Sequence, residues 1–361
     1  MPWCPSSWRP PSGHSSPVPP EQPVAASSVP PAQALLVRRI MVTLRRVKHC
    51  RACRVPRIAG YGAGRNRSGG MMTTATAVAP RPTWRELLAR ERPLVLPGAY
   101  DALSARLIQR AGFPAYIIGG YPVVGARYGL PDVGLCGLGE ISAGIRDIMD
   151  ACTLPVLIDA DDGYGDVKNV TRTIRTYERM GAAAIFIEDQ VSPKRCGHME
   201  GKDVVPAEVM ERKIRAAAAA RENKETFLIA RTDARAIEGL DGALRRAERY
   251  VRAGADGIFV EAPLSVAELE RIGREIDVPQ FCNMLDGGKT PILSNRELYE
   301  MGFEMVVLGT TLIMRVARLL RDTLADLRQD QLSWTGTSVT FDEYKDMVGF
   351  PAWTDIETRF S

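Results

Sequence analysis

Six polar side chains occupy one kind of place in this 361-residue chain. Asp159, Asp161, Glu188, Arg231, Glu261 and Asn283 each stand at or just past the C-terminal end of a short apolar run that reads as a strand. One acid after a strand commonly caps the next helix. Six such groups in consecutive units point instead to a shared site. Carboxylates and one arginine, with no thiolate cluster, suit a hard cation such as Mg2+, or Mn2+ in its place, held partly through water.

Residues 186–198, FIEDQVSPKRCGH, add a second kind of chemistry. A strand ends on Glu188 and Asp189, and a polar loop carries Lys194, Arg195, Cys196, Gly197 and His198. Neighbouring positive charge is expected to lower the thiol's pKa and hold Cys196 ready to move a proton. His198 is the only histidine after residue 71, which excludes a histidine-rich zinc site. A Ser-His-Asp triad would have to use it, and no G-x-S-x-G turn is present.

These residues need a scaffold, and the chain repeats one unit that supplies it. Apolar runs at 92–96, 115–118, 156–158, 182–187, 227–230, 257–260, 280–282 and 305–308 read as strands. Helical patterns follow at 101–111, 140–152, 169–180, 207–221, 242–253, 265–276, 294–301 and 312–327, with 121–139 as a loop. Gly112, Gly181, Gly254 and Gly302 each close a helix just before the next strand. Eight strand–helix units over about 240 residues predict an α/β fold, a single (β/α)8 barrel. The strand-end groups would then converge on one face. An open doubly wound sheet would want a glycine-rich phosphate turn after the first strand, and PGAYDA (97–102) is not one.

Charge separates a leader from this body. Residues 1–70 hold eleven Lys/Arg, one acid and 11 of the 25 prolines, leaving 36 basic and 42 acidic residues beyond. The predicted domains are a disordered leader (1–71), the barrel (72–330) and a helical extension (331–361). The leader resembles an organelle transit peptide in composition. The favoured reading is a translation start at Met71 or Met72, with a cytoplasmic body. The body's charge carries no nucleic-acid footprint, and no apolar stretch of the leader is long enough to span a membrane. Cys50 and Cys53 beside His49 lack a second ligand pair for zinc. Seven irregularly spaced cysteines make no disulfide framework, and Cys152 and Cys282 read as core residues.

PKRCGH (193–198), DADDGYG (159–165), LPDVG (130–134), ARTDA (230–234) and GGKTP (287–291) together resemble the isocitrate lyase/phosphoenolpyruvate mutase superfamily. The resemblance runs from about residue 94 to 327. It implies a (β/α)8 barrel, Mg2+, an enolate intermediate from a 2-oxo or 2-hydroxy dicarboxylate, and a homotetramer that exchanges its last barrel helix. It implies metal contacts from Asp159 and Asp161, with Asp132 and Glu188 acting mostly through water. Cys196 matches the catalytic cysteine and Arg231 the enolate-facing arginine. Lys194 and His198 assist, while Arg195, Gly197, Glu261, Asn283 and Thr290 match substrate contacts. Three positions depart from the pattern: Asp162 stands for Thr, Asp286 for Glu, and Gly119-Gly120-Tyr121 replaces a carboxylate-binding Ser or Thr.

Cleaving a 2-hydroxy acid between C2 and C3 requires a base, an oxyanion stabiliser and a proton donor. Arg231 and the metal suit the second role and Cys196 the third. Tyr121 and a metal-bound water both remain candidates for the base. The expected activity is carbon–carbon cleavage of a 2-methylisocitrate- or dimethylmalate-like di- or tricarboxylate to a 2-oxo acid and a carboxylic acid. The alternatives are a carboxyphosphonoenolpyruvate mutase-like reaction or oxaloacetate hydrolysis or decarboxylation.

Overall fold

The structure is a computed structural model that describes residues 81–361. The leader and its Cys50/Cys53 pair lie outside the described residues. Helix α1 (Trp84–Arg90) opens on a capping box, in which Thr83 Oγ1 accepts from Glu86 N and the Glu86 carboxylate accepts from Thr83 N. Strand–helix units follow in order: β1 (Leu94–Pro97), α2 (Ala102–Arg110), β2 (Tyr116–Ile118), α3 (Gly120–Tyr128), α4 (Leu138–Asp150), β3 (Val156–Asp159), α5 (Val167–Met180), β4 (Ala184–Glu188) and α6 (Ala207–Ala220). Then come β5 (Phe227–Thr232), α7 (Arg235–Ala253), β6 (Gly257–Val260), α8 (Val266–Glu275), β7 (Phe281–Asn283), α9 (Asn295–Glu300), β8 (Met305–Leu308) and α10 (Thr311–Arg328). Two more helices end the chain, α11 (Phe341–Met347) and α12 (Phe350–Phe360).

Every strand pairing is parallel. One sheet runs β2-β3-β4-β5-β6 and the other β1-β8-β7. Single bridges join them on both sides, Gly98 to Ile117 and Ile258 to Gln280. There Ala99 N donates to Ile117 O at 2.9 Å, and Ile258 N to Pro279 O at 3.0 Å.

The strands are buried on both faces, and their two-residue period sorts the core into two layers. Leu94, Leu96, Ile117, Leu157, Phe186, Ile229, Phe259, Phe281 and Val307 form an inner cluster. Ile118, Ile158, Ile187, Leu228, Ile258, Cys282 and Val306 belong to an outer cluster that takes in the helices. Trp84 and Leu87 of α1 join the inner cluster. Arg85 fixes α1 to the N-terminal ends of the strands, pairing with Asp256 at 2.7 Å and lying 5.2 Å over the Phe227 ring.

The structure departs from the sequence reading in three places. Residues 121–128, within the stretch 121–139 expected as loop, belong to α3. Two glycines and Pro122 in the GYPVVG stretch read as breakers, but proline is tolerated in a helix's first turn, where its missing N–H costs nothing. Helix α7 begins at Arg235 rather than 242, with a break at Gly239 (φ 73°). Helix α4 ends at Asp150, so Cys152 lies beyond it, buried as expected.

Helix α10 has no buried residue, although Leu319, Leu320, Leu324 and Leu327 lie along it. The chain then returns to the first unit: Arg110 of α2 pairs with the Asp346 carboxylate of α11 and donates to Asp346 O at 2.8 Å.

Candidate active site

Each strand's inward-facing row runs on by one step past its apolar residue, and that step is polar or glycine. Leu157 leads to Asp159, Phe186 to Glu188, Ile229 to Arg231, Phe259 to Glu261, Phe281 to Asn283, and Ile117 to Gly119. Because successive inward side chains are two residues apart, these groups meet above the inner cluster. Phe259 and Phe281 stack at 3.9 Å, with Phe186 edge-on to both, and the Arg231 guanidinium lies 5.2 Å above the Phe259 ring.

Above this aromatic floor is a cavity of about 70 Å3. Gly119, Tyr121, Asp132, Asp159, Glu188, Lys194, Arg195, Cys196, Gly197, His198, Arg231, Glu261 and Asn283 all line it. Asp161 and Gly120 border it: Asp159 accepts from Asp161 N at 2.9 Å and from Gly120 N at 3.1 Å. A Cβ at Gly120 would come within 3.1 Å of Asp161 Oδ1, so glycine lets the backbone approach the acids. Asp161 itself adopts φ 48°, a conformation costly for a residue with a side chain.

Thr290 is buried but does not line the cavity. Its loop reaches the site one residue earlier and through the backbone, where Lys289 N donates to His198 Nδ1 at 3.1 Å.

The charges form two linked groups. Lys194 Nζ stands 2.6 Å from Asp132 Oδ1 and 2.7 Å from Asp161 Oδ1. Arg231 Nε stands 3.2 Å from Glu188 and 2.8 Å from Asp233, and its Nη2 stands 3.0 Å from Glu261. His198 Nε2 lies 3.1 Å from the other Glu261 oxygen. Burial disfavours charge on Lys194 and Arg231, but the carboxylates around them outweigh it and keep both protonated. Burial pushes Asp159 up to about 6, with Asp161 adding to the effect. Burial also raises Asp132 and Glu188 against the pull of Lys194 and Arg231 respectively. Burial acts on Asp233 too, yet Arg231 and Lys202 hold it down at about 2.

Cys196 corrects an expectation. Its pKa is raised, first by burial and next, among charges, by Glu261; these outweigh the pull of Arg231 and of its backbone hydrogen bond. Of the cations beside it in sequence, Lys194 is committed to Asp132 and Asp161, and Arg195 stands at the exposed rim. The group is therefore a thiol at neutral pH, a proton donor rather than a standing thiolate.

A divalent cation fits this donor set. Asp132, Asp159, Asp161, Glu188, Asp233 and Glu261 outnumber Lys194, Lys202 and Arg231. Buried Glu188 Oε1 lacks a hydrogen-bond donor among the described residues. No three Asp, Glu, His or Cys side chains among the described residues converge closely enough to enclose an ion. A cation held here would thus keep water or substrate in its shell.

The sequence reading missed the supports beneath these groups. Asp189 accepts from Thr232 Oγ1 at 2.7 Å, Asp233 N at 2.9 Å and Tyr250 OH at 2.8 Å. Asp233 in turn grips Arg231 at Nε and Nη2. Their signal was adjacency: Asp189 follows Glu188, and Asp233 follows Arg231 by two residues. Asp162, one of the departures, accepts from Tyr164 N at 2.9 Å, and its carbonyl accepts from buried Lys213 at 2.7 Å. It anchors the loop rather than lining the cavity.

The chain is similar to known proteins in sequence and in fold. Residues 84–328 match the family described as phosphoenolpyruvate phosphomutase. The chain is 40% identical over 279 residues to 2,3-dimethylmalate lyase of Eubacterium barkeri, spanning 77% of this chain and 96% of that one. Oxaloacetate acetylhydrolase bound to the inhibitor 3,3-difluorooxalacetate superposes with a TM-score of 0.72 at 29% identity, over 76% of this chain and 94% of that one. Phosphonopyruvate hydrolase in complex with oxalate and Mg++ superposes with a TM-score of 0.69 at 26% identity, over 76% and 97%.

Proposed function

The chain belongs to the phosphoenolpyruvate phosphomutase family and is an enzyme of the isocitrate lyase/phosphoenolpyruvate mutase superfamily, and from that premise we propose that it is a Mg2+-dependent carbon–carbon lyase acting on a 2-hydroxy dicarboxylate. The observation that carries this is one cavity that brings the Cys196 thiol together with Asp159 and Glu188 in its lining and Asp161 at its border. The products would be a 2-oxo acid such as pyruvate and a carboxylic acid.

The charge inventory favours a dicarboxylate over a tricarboxylate. Lys194, Arg231 and His198 each face a carboxylate of the protein. Arg195, at the exposed rim, makes no ion pair among the described residues and is free for a second substrate carboxylate. A third carboxylate would find no unpaired cation in the lining.

Asp159, Asp161, Glu188 and Asp132 would hold Mg2+, which when bound supplies charge stabilisation for the substrate's carboxylate and developing oxyanion. Arg231, fixed by Asp233 and Glu261, presents its guanidinium to the same charge. After a base takes the hydroxyl proton, the oxygen's electron pair forms the C2=O bond as the C2–C3 bond breaks with its pair going to the departing carbon. The Cys196 thiol donates the proton that quenches that carbon. That Tyr121 lines the cavity supports it as the base, with a metal-bound water as the alternative.

The two junction bridges and the continuous inner cluster support a closed (β/α)8 barrel. The uncovered leucines of α10 support a homotetramer in which that helix is exchanged between subunits.

The test is release of 2-oxo acid from 2,3-dimethylmalate, 2-methylisocitrate, isocitrate and oxaloacetate, with Mg2+ or with a chelator. Mg2+-dependent turnover of a dimethylmalate-type substrate is expected. Turnover of oxaloacetate alone would replace the lyase reading with hydrolysis, and undiminished turnover in chelator would remove the metal.

A further inference from the structure

The loop that carries Cys196 is mostly solvent-facing. Val191, Ser192, Pro193, Arg195, Met199, Glu200 and Gly201 are all exposed. It leaves β4 and returns through a pairing of Gln190 with Val204, with Val191 N donating to Asp203 O at 2.9 Å. The Gln190 side chain steadies the first half, accepting from Arg195 N at 2.9 Å and donating to Arg195 O at 2.8 Å. So exposed a loop has little apolar contact to fix its depth over the cavity.

Lys202 is the exception in its second half. It sits between exposed neighbours, yet its side chain is only 3% exposed. Its ammonium stands 2.8 Å from Asp233 Oδ1 and also donates to the Gly197 carbonyl. Asp233 is fully buried and is the same carboxylate that grips Arg231. Gly197 lies so close to the site that a Cβ there would overlap Arg231 and Glu261.

We propose that Lys202 is a positioning residue: by holding Asp233 and the Gly197 carbonyl at once, it sets the loop's height over Arg231 and so places Cys196 and His198. Lys289 also ties the loop, to Glu200, but that pair is exposed, 32% and 89%, and exposed pairs contribute little. Removing the Lys202 ammonium leaves the Gly197 carbonyl without its donor and Asp233 Oδ1 with Arg231 alone; what then still ties the loop inward is His198, through Glu261 and the Lys289 backbone. The two lysines therefore predict opposite outcomes.

The experiment reads loop opening directly and needs no substrate, so it stands apart from the assignment of the reaction. Iodoacetamide labelling of Cys196 is followed by peptide mass spectrometry in the full-length chain and in the variants Lys202→Met, Lys202→Arg and Lys289→Met. Labelling rates follow the free energy of local opening, so Lys202→Met should label about tenfold faster or more. Lys202→Arg should restore part of the protection, and Lys289→Met should stay near the parent rate. Where turnover is measurable, Lys202→Met should lower kcat more than it raises KM. A folded Lys202→Met with parental Cys196 labelling overturns the proposal. Should that variant not fold, hydrogen exchange in the parent chain decides. The Met199 amide, which donates to Cys196 O at 2.8 Å, should be protected, and exchange as fast as a free loop overturns the proposal equally.

Discussion

The strand-end cluster and the C-terminal arm are made of opposite materials and left in opposite states. Around Arg231, charged groups that prefer water are buried and matched to one another within the chain. Along α10 to α12, residues that avoid water stand in it: Leu320 is 56% exposed, Leu324 62%, Trp353 68% and Phe360 81%. The first region costs desolvation that only a bound ligand or cation repays fully. The second leaves apolar area that only another protein surface would cover. One is matched within the chain; the other leaves its apolar faces uncovered.

The largest effect should come from breaking the first region at its thiol. Cys196→Ser keeps the volume but supplies a far weaker acid, so turnover should fall by about 10²–10⁴-fold. KM should move little, because Arg231 and the carboxylates remain. Steady-state kinetics on the active substrate decides it, and unchanged turnover would return Cys196 to a structural role.

The next prediction breaks the second region alone. Leu320→Asp combined with Leu324→Asp places charge on the uncovered face of α10, away from the cavity. Sedimentation at micromolar concentration should show the parent as a tetramer and the variant as smaller species. A monomeric parent would mean that the arm is covered by something other than its own copies.

The smallest effect sharpens what a cation does for the first region. In the free protein, burial raises the Asp159 pKa from 3.8 to about 6, so the folded chain holds that proton more tightly than the unfolded chain. Its stabilising contribution is thus present below pH 4 and is lost as pH rises through 6. A divalent cation at the same carboxylates competes with the proton, so its stabilisation follows the reverse course. Added Mg2+ should raise the melting temperature by a few degrees at pH 8 and by less at pH 5.5. An equal shift at both pH values would place the ion elsewhere.

The same contrast governs what could be read from the sequence. The inward row was legible because strand alternation is strict: once a strand end is found, the residue two beyond its inner apolar neighbour must point at the axis. That rule places Asp159, Glu188, Arg231, Glu261 and Asn283 without any coordinate. Loops obey no such period: the PKRCGH residues and Asp132 do line the cavity, but only their motifs, not any alternation, pointed to them. Thr290 looked like a contact, but its loop touches the site through the Lys289 backbone. The pKa shift of Cys196 was expected in the wrong direction because charge near it in sequence is not charge near it in space: Lys194 had already been claimed by Asp132 and Asp161. Lys202 and Asp233 were invisible as a pair because 31 residues separate them.

Helix α1 carries a consequence for how the reaction would end. Trp84 and Leu87 stop the foot of the inner cluster, and Arg85 bolts them there. The site is therefore a cup, with the Cys196 loop at its lip. A cleavage that turns one substrate into two products must empty through the door by which the substrate came. Under the proposed cleavage, the fragment beside Cys196 should leave first and the fragment over the aromatic floor last, and the deep fragment should be the product that competes with fresh substrate.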